Sequence, residues 1–118
     1  MKPKYSIYKN FFYAVDGAKV LLKESSFKIE ITVFTTATIV LVFLPYPIWA
    51  KLFMFVSLFA PLIAEAFNTA IEKIVDMTTS EYHILAKHAK DIAAFGVFIS
   101  IFIPLFTWLA FMMYCYDK

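Results

Sequence analysis

The stretch that decides the fold is LFMFVSLFAPLIAEAFNTAIEKIVD, residues 52–76. It opens as an oily run fit to cross a membrane and closes by collecting Glu65, Asn68, Thr69, Glu72 and Asp76. At about 100° per residue these side chains fall within a helical sector of roughly 100°. One polar stripe therefore climbs out of the span. Glu65 sits about 10 Å deeper than Glu72, at a rise of about 1.5 Å per residue. A carboxylate inside a span is costly and marks function by default. Two on one face repel unless a cation lies between them or one holds a proton. The plainer reading is a solvated helix end that begins early, and both readings stand on the residues alone.

The rest of the chain agrees with a membrane setting. Of 118 residues, 62% are hydrophobic and 17% charged, with 14 Phe and 7 Tyr, too oily for a soluble domain of this size. The net charge of +2 gives no case for nucleic acid. All 11 basic residues are Lys, so any phosphate contact uses point charges and not bidentate forks. The single cysteine, Cys115, excludes an intramolecular disulfide and a Cys-based zinc site. The first 28 residues hold six Lys and lack the pattern of a signal peptide.

Three spans are expected, since about 20 apolar residues cross a bilayer. They are Ile29–Leu44, ending at the helix-breaking PYP of residues 45–47, then Ile48–Val75, then Ile92–Tyr114. In the third, Ala93, Gly96 and Ser100 form a small-residue seam, and Pro104 is placed to kink the helix. Trp49, Trp108 and Tyr114 lie near span ends, where amphipathic rings favour the interface. Residues 5–24 read as an amphipathic helix on the membrane surface, with Lys9, Asp16, Lys19 and Lys23 on one face. Six of the lysines precede the first span, which places the N-terminus and the loop at residues 76–91 in the cytoplasm. The expected architecture is an all-α integral membrane domain filling residues 1–118.

After the stripe comes MTTSEYHILAKHAKDIAA, residues 77–94. Thr78 and Glu81 have the spacing of a capping box that would open a new helix. On it His83, Lys87 and Lys90 share a face beside Asp91. An acidic stripe thus meets a basic one. The arrangement is either an interfacial ion-pair network or a pocket in which lysines hold a polyphosphate and carboxylates hold Mg²⁺. No G-x-x-x-x-G-K-[ST] loop, Rossmann glycine fingerprint or H-E-x-x-H is present. His83 and His88 diverge on a helix, and Ser80 has no histidine placed to activate it.

AEAFNTAIEKIVD (64–76) followed by SEYHILAKHAKD (80–91) resembles the E-x-x-N-x-A-I-E-x-x-x-D…S-E-Y-H…A-K-D signature of the small prokaryotic integral-membrane diacylglycerol kinases. The similarity covers nearly the whole chain and is strongest over residues 64–91. It implies a homotrimer with active sites shared between subunits, in a bacterial inner membrane. It also implies transfer of the ATP γ-phosphate, with Mg²⁺, to a membrane lipid alcohol. Diacylglycerol going to phosphatidate is the leading substrate, and undecaprenol is the alternative within the same chemistry. On matching positions the resemblance makes Glu65 the general base, with Asn68 positioning the reacting groups. Glu24, from KESSFK (23–28), and Glu72 become the metal carboxylates and contact ATP. Glu81, Tyr82, His83, Lys90 and Asp91 would line the nucleotide site, with Lys9 and Tyr13 reaching it from the surface helix. Ala94 stands where some relatives have a serine in the lipid site, and Lys9 and Lys28 where relatives have arginines. A third reading, a small proton-coupled exporter built on Glu65, fits less well, because the stripe runs to one face only.

Overall fold

Helices occupy nearly all of residues 6–116, which the computed structural model describes; Tyr5, the expected start of the surface helix, lies outside them. In chain order they are α1 (Ile7–Leu21), α2 (Ser25–Phe43), α3 (Ile48–Ser57), α4 (Phe59–Thr78), α5 (Ile84–Ser100) and α6 (Phe102–Tyr116). α3 continues into α4, and α5 into α6, across one-residue interruptions, so the elements form four rods. Three of these are long and apolar enough to cross a membrane: Ser25–Phe43, Ile48–Thr78 and Ile84–Tyr116.

α1 starts where Ser6 takes the extended N-cap conformation and its Oγ accepts from the Lys9 N–H at 3.3 Å. It buries none of its residues, and Ile7, Tyr8 and Phe11 are among the most exposed large side chains of the chain. The helix stops at Leu21, short of the expected end at residue 24, and a tight turn closed by Lys23 N–H to Val20 O and Glu24 N–H to Leu21 O follows. α2 begins at Ser25, earlier than the expected Ile29, because extended Glu24 acts as its N-cap and the Lys28 N–H bonds the Glu24 carbonyl. It ends at Phe43, one residue before the sequence PYP. There the Lys51 ammonium donates to the Val42 carbonyl at 3.0 Å, satisfying an orphan acceptor at the helix end.

The interruptions share one cause. Pro61 has no N–H to give the Ser57 carbonyl, and Pro104 none for Ser100. At the first, the Leu58 N–H bonds Phe55 O, and the Ser57 hydroxyl donates to Met54 O at 2.6 Å. At the second, the Ile101 N–H bonds Phe98 O, and the Ser100 hydroxyl donates to Val97 O at 2.6 Å. Each Ser-x-x-x-Pro unit thus swaps a rung of the helical ladder for a side-chain bond. The Trp108 indole N–H also reaches the Met54 carbonyl, at 2.9 Å, tying the third rod to the fourth. Met54 and Ala50 are fully buried beside it.

The expected kink at Pro104 is therefore present as a break in the rod, and Pro61 makes a second that the sequence reading did not include. The expected capping box is not formed. α4 runs through Thr78, and the Thr79 hydroxyl instead accepts the Glu81 N–H, at 3.2 Å. The new helix opens at Ile84, capped by the His83 ring, whose Nδ1 accepts the Leu85 N–H at 3.1 Å. A local turn around Thr79 has outcompeted the S/T-x-x-E pattern one residue earlier. His83 accordingly precedes the helix that carries Lys87 and Lys90. Of the small-residue seam, Ser100 is buried within the chain, while among the described residues no other part of the fold lies within 4 Å of a Cβ placed on Gly96.

Rod length positions the site. Ile48–Thr78 has 31 residues. At about 1.5 Å each that is about 46 Å, against about 30 Å of bilayer hydrocarbon. Counted from Ile48, the polar half of α4 stands at and beyond one membrane face. α4 packs most closely on α5, whose first turns project on the same side.

Candidate active site

Glu65 is the most buried ionisable side chain of the α4 stripe, 5% exposed. Its Oε1 accepts a 2.6 Å hydrogen bond from the Ser26 hydroxyl in the first turn of α2. Glu30, one helical turn further along α2, lies within electrostatic reach of Glu65, and its Oε2 is buried with no hydrogen-bond partner among the described residues. Glu30 also opens on an apolar cleft of about 350 Å³ whose far wall holds Pro61 and Pro104, the residues of both rod breaks. One turn above Glu65, the Asn68 amide donates to Glu72 Oε1 at 3.4 Å, while its Oδ1 is buried without a donor among the described residues. Thr69, beside it on the stripe, is buried at 5% exposure.

Glu24 joins this group from the α1–α2 corner. Its side chain makes no capping bond to α2, and its Oε1 meets the Lys73 ammonium of α4 at 3.0 Å. Of the expected metal carboxylates, Glu24 thus pairs with Lys73 and Glu72 accepts from Asn68, both partners on α4.

The remaining expected residues gather at the α4–α5 corner. An open cleft of about 670 Å³ is lined by Asp76, Thr79, Glu81, Tyr82, His83, Lys90 and Asp91, among others. Lys90 bridges it, with its ammonium 2.7 Å from Asp76 Oδ1 and within electrostatic reach of Glu72. Asp91 pairs with Lys87 on its own helix at 2.6 Å. The acidic stripe of α4 and the basic one of α5 therefore do meet, through Asp76 and Lys90. Both pairs are largely exposed and add little stability.

Three expected residues are not drawn into these groups. Lys9 and Tyr13 lie exposed on α1, and among the described residues no hydrogen bond or ion pair joins them to the carboxylates. Ala94 is exposed on α5. Ser26, Glu30 and Lys73 were not among the expected site residues. For Glu30 a signal was present, since a carboxylate within a span calls for a partner or a role.

The sequence matches the family described as prokaryotic diacylglycerol kinase over residues 12–112. It is 32% identical over 111 residues to a diacylglycerol kinase of Helicobacter pylori, covering 93% of this chain and 87% of that protein. To a diacylglycerol kinase of Escherichia coli it is 31% identical over 87 residues, covering 74% of this chain and 71% of the relative. A polar groove at one membrane face, built by the residues that carry the sequence signature, agrees with that match. This chain belongs to the prokaryotic diacylglycerol kinase family.

Proposed function

We propose that this protein transfers the γ-phosphate of ATP to the hydroxyl of diacylglycerol, giving phosphatidate, at the cytoplasmic face of a bacterial inner membrane. The observation that carries the reading is the vertical order on α4, with Glu65 buried at the membrane boundary and Glu72 about 10 Å nearer the water. A lipid alcohol and a water-soluble nucleotide can meet only at such a boundary. Glu65, oriented by the Ser26 hydroxyl, takes the proton of the attacking alcohol. Asn68, bonded to Glu72, sets the spacing between that base and the charged layer above it. The open cleft at the α4–α5 corner receives the nucleotide, with Glu81, Tyr82 and His83 along its wall. Lys90 exchanges Asp76 for phosphate oxygens. The apolar cleft below leaves room for acyl chains.

Glu24 and Glu72 would hold Mg²⁺. The donor set fits, because it is all oxygen, and the Lys73 ammonium already rests on Glu24 as a stand-in cation. Among the described residues no three His, Cys, Asp or Glu side chains converge on one point, so phosphate oxygens and water would complete the coordination. When bound, the ion neutralises charge that develops on the transferring phosphoryl group.

We further read the working form as a homotrimer with sites completed between subunits. An α1 that buries nothing and an unfilled seam at Gly96 both support it. The cytoplasmic N-terminus rests on the lysines that precede the first span.

The test is phosphorylation of diacylglycerol and, in parallel, undecaprenol with labelled ATP in mixed micelles. Glu65→Gln should abolish transfer while leaving assembly and nucleotide binding intact. Substantial turnover in that variant rules out the general-base role, and no product from either alcohol rules out the kinase reading.

A further inference from the structure

We propose that Lys73 is a built-in competitor for the metal, occupying the Glu24 carboxylate until a divalent ion displaces it. The inference rests on the kinase reading above and adds a residue that sets how much metal the site demands.

The geometry carries it. Glu24 stands at the N-cap of α2, where a carboxylate would ordinarily turn back onto the first-turn N–H groups. It does not. Its side chain turns to α4, and Oε1 lies 3.0 Å from the Lys73 ammonium, which is contact distance. Lys73 follows Glu72 in the chain, so the amine that rests on Glu24 rises from the same turn of α4 as the second carboxylate expected to hold the ion. A divalent ion held by Glu24 would be repelled by the ammonium 3.0 Å from Oε1, so the two cations would compete for that carboxylate. The pair is breakable. The two side chains are 54% and 39% exposed, and four methylenes let the ammonium swing into water. Lys90 on Asp76 is arranged in the same manner, so the chain neutralises its own acidic groups with lysines that leave when ligand arrives.

The role is competition and not catalysis, and binding reveals it more directly than turnover does. An exposed pair of this kind corresponds to a factor of about two to five in an equilibrium constant. Free Mn²⁺ measured by electron paramagnetic resonance, on the full chain in lipid nanodiscs with a non-hydrolysable ATP analogue, reports the metal affinity. Lys73→Met should bind Mn²⁺ about two- to fivefold more tightly than wild type. Lys73→Arg, which keeps the cation, should stay at the wild-type value. In a Glu24→Gln background the Lys73→Met effect should vanish. Equal Mn²⁺ affinity in wild type and Lys73→Met, or weaker binding in the variant, overturns the inference and leaves the kinase reading standing. If neither protein takes up Mn²⁺, the metal-dependent reading falls and takes this inference with it.

Discussion

Replacing Ser26 with alanine tests how the buried carboxylate is held. The Ser26 hydroxyl is the hydrogen-bond donor found on Glu65, at 2.6 Å, and Glu65 is 5% exposed. A hydrogen bond to a charged group contributes about 1.5–3 kcal/mol. Ser26 itself is exposed at the start of α2, so water can partly replace it and the lower end applies. About 1.4 kcal/mol is tenfold in rate. Ser26→Ala should therefore lower kcat about tenfold, with the KM for ATP unchanged, because the nucleotide cleft lies a layer above. Ser26→Thr, which keeps a hydroxyl, should recover most of the loss. Initial rates with labelled ATP in mixed micelles measure both constants. In a Glu65→Gln background the serine change should have no further effect, since the bond would then serve no base. A kcat within twofold of wild type, or a loss that appears in the KM for ATP instead, refutes the reasoning.

Two more perturbations address the scaffold. Trp108→Phe replaces the indole by a smaller aromatic ring and removes the N–H that reaches Met54 O, while the Ser57 hydroxyl still donates to that carbonyl; the lost hydrogen bond alone is expected to cost about 0.5–1 kcal/mol, with the lost ring contacts adding to it, read by circular dichroism during unfolding in detergent. Gly96→Leu should leave the chain folded, because among the described residues no other part of the fold lies within 4 Å of the position its Cβ would take, and should break up the proposed trimer, as seen by light scattering in detergent. An intact assembly in that variant would show that the seam is not a subunit contact.

What the sequence made legible follows from what is periodic. The 3.6-residue repeat places Glu65, Asn68 and Glu72 on one face whatever surrounds them, and α4 carries that stripe. The Asp76–Lys90 meeting follows from two consecutive helices and a short corner. Ser26–Glu65 and Lys73–Glu24 join α2 or its cap to α4 across a large sequence separation, and no local pattern encodes which side chains will touch. Thr78–Glu81 misled for the opposite reason. The pattern is purely local, and a turn at Thr79 together with the ring of His83 served the same backbone donors better. Pro61 differs from Pro104 only in lying within a stretch whose carboxylates dominated the reading.

The two Ser-x-x-x-Pro breaks divide the bundle into storeys. α3 packs with α6 on one side of them and α4 with α5 on the other. The storey of α3 and α6 is stapled by aromatic contacts of Trp49 and Phe53 with Phe111, at ring separations of 5.7 and 5.9 Å. The storey of α4 and α5 carries every carboxylate of the stripe. At each joint the rung that would resist bending is the one proline has already removed, and the stranded carbonyls of Met54 and Val97 are held by serine. The half of the bundle that carries the stripe is therefore joined to the half stapled by aromatic rings at the points where the helical ladder resists bending least.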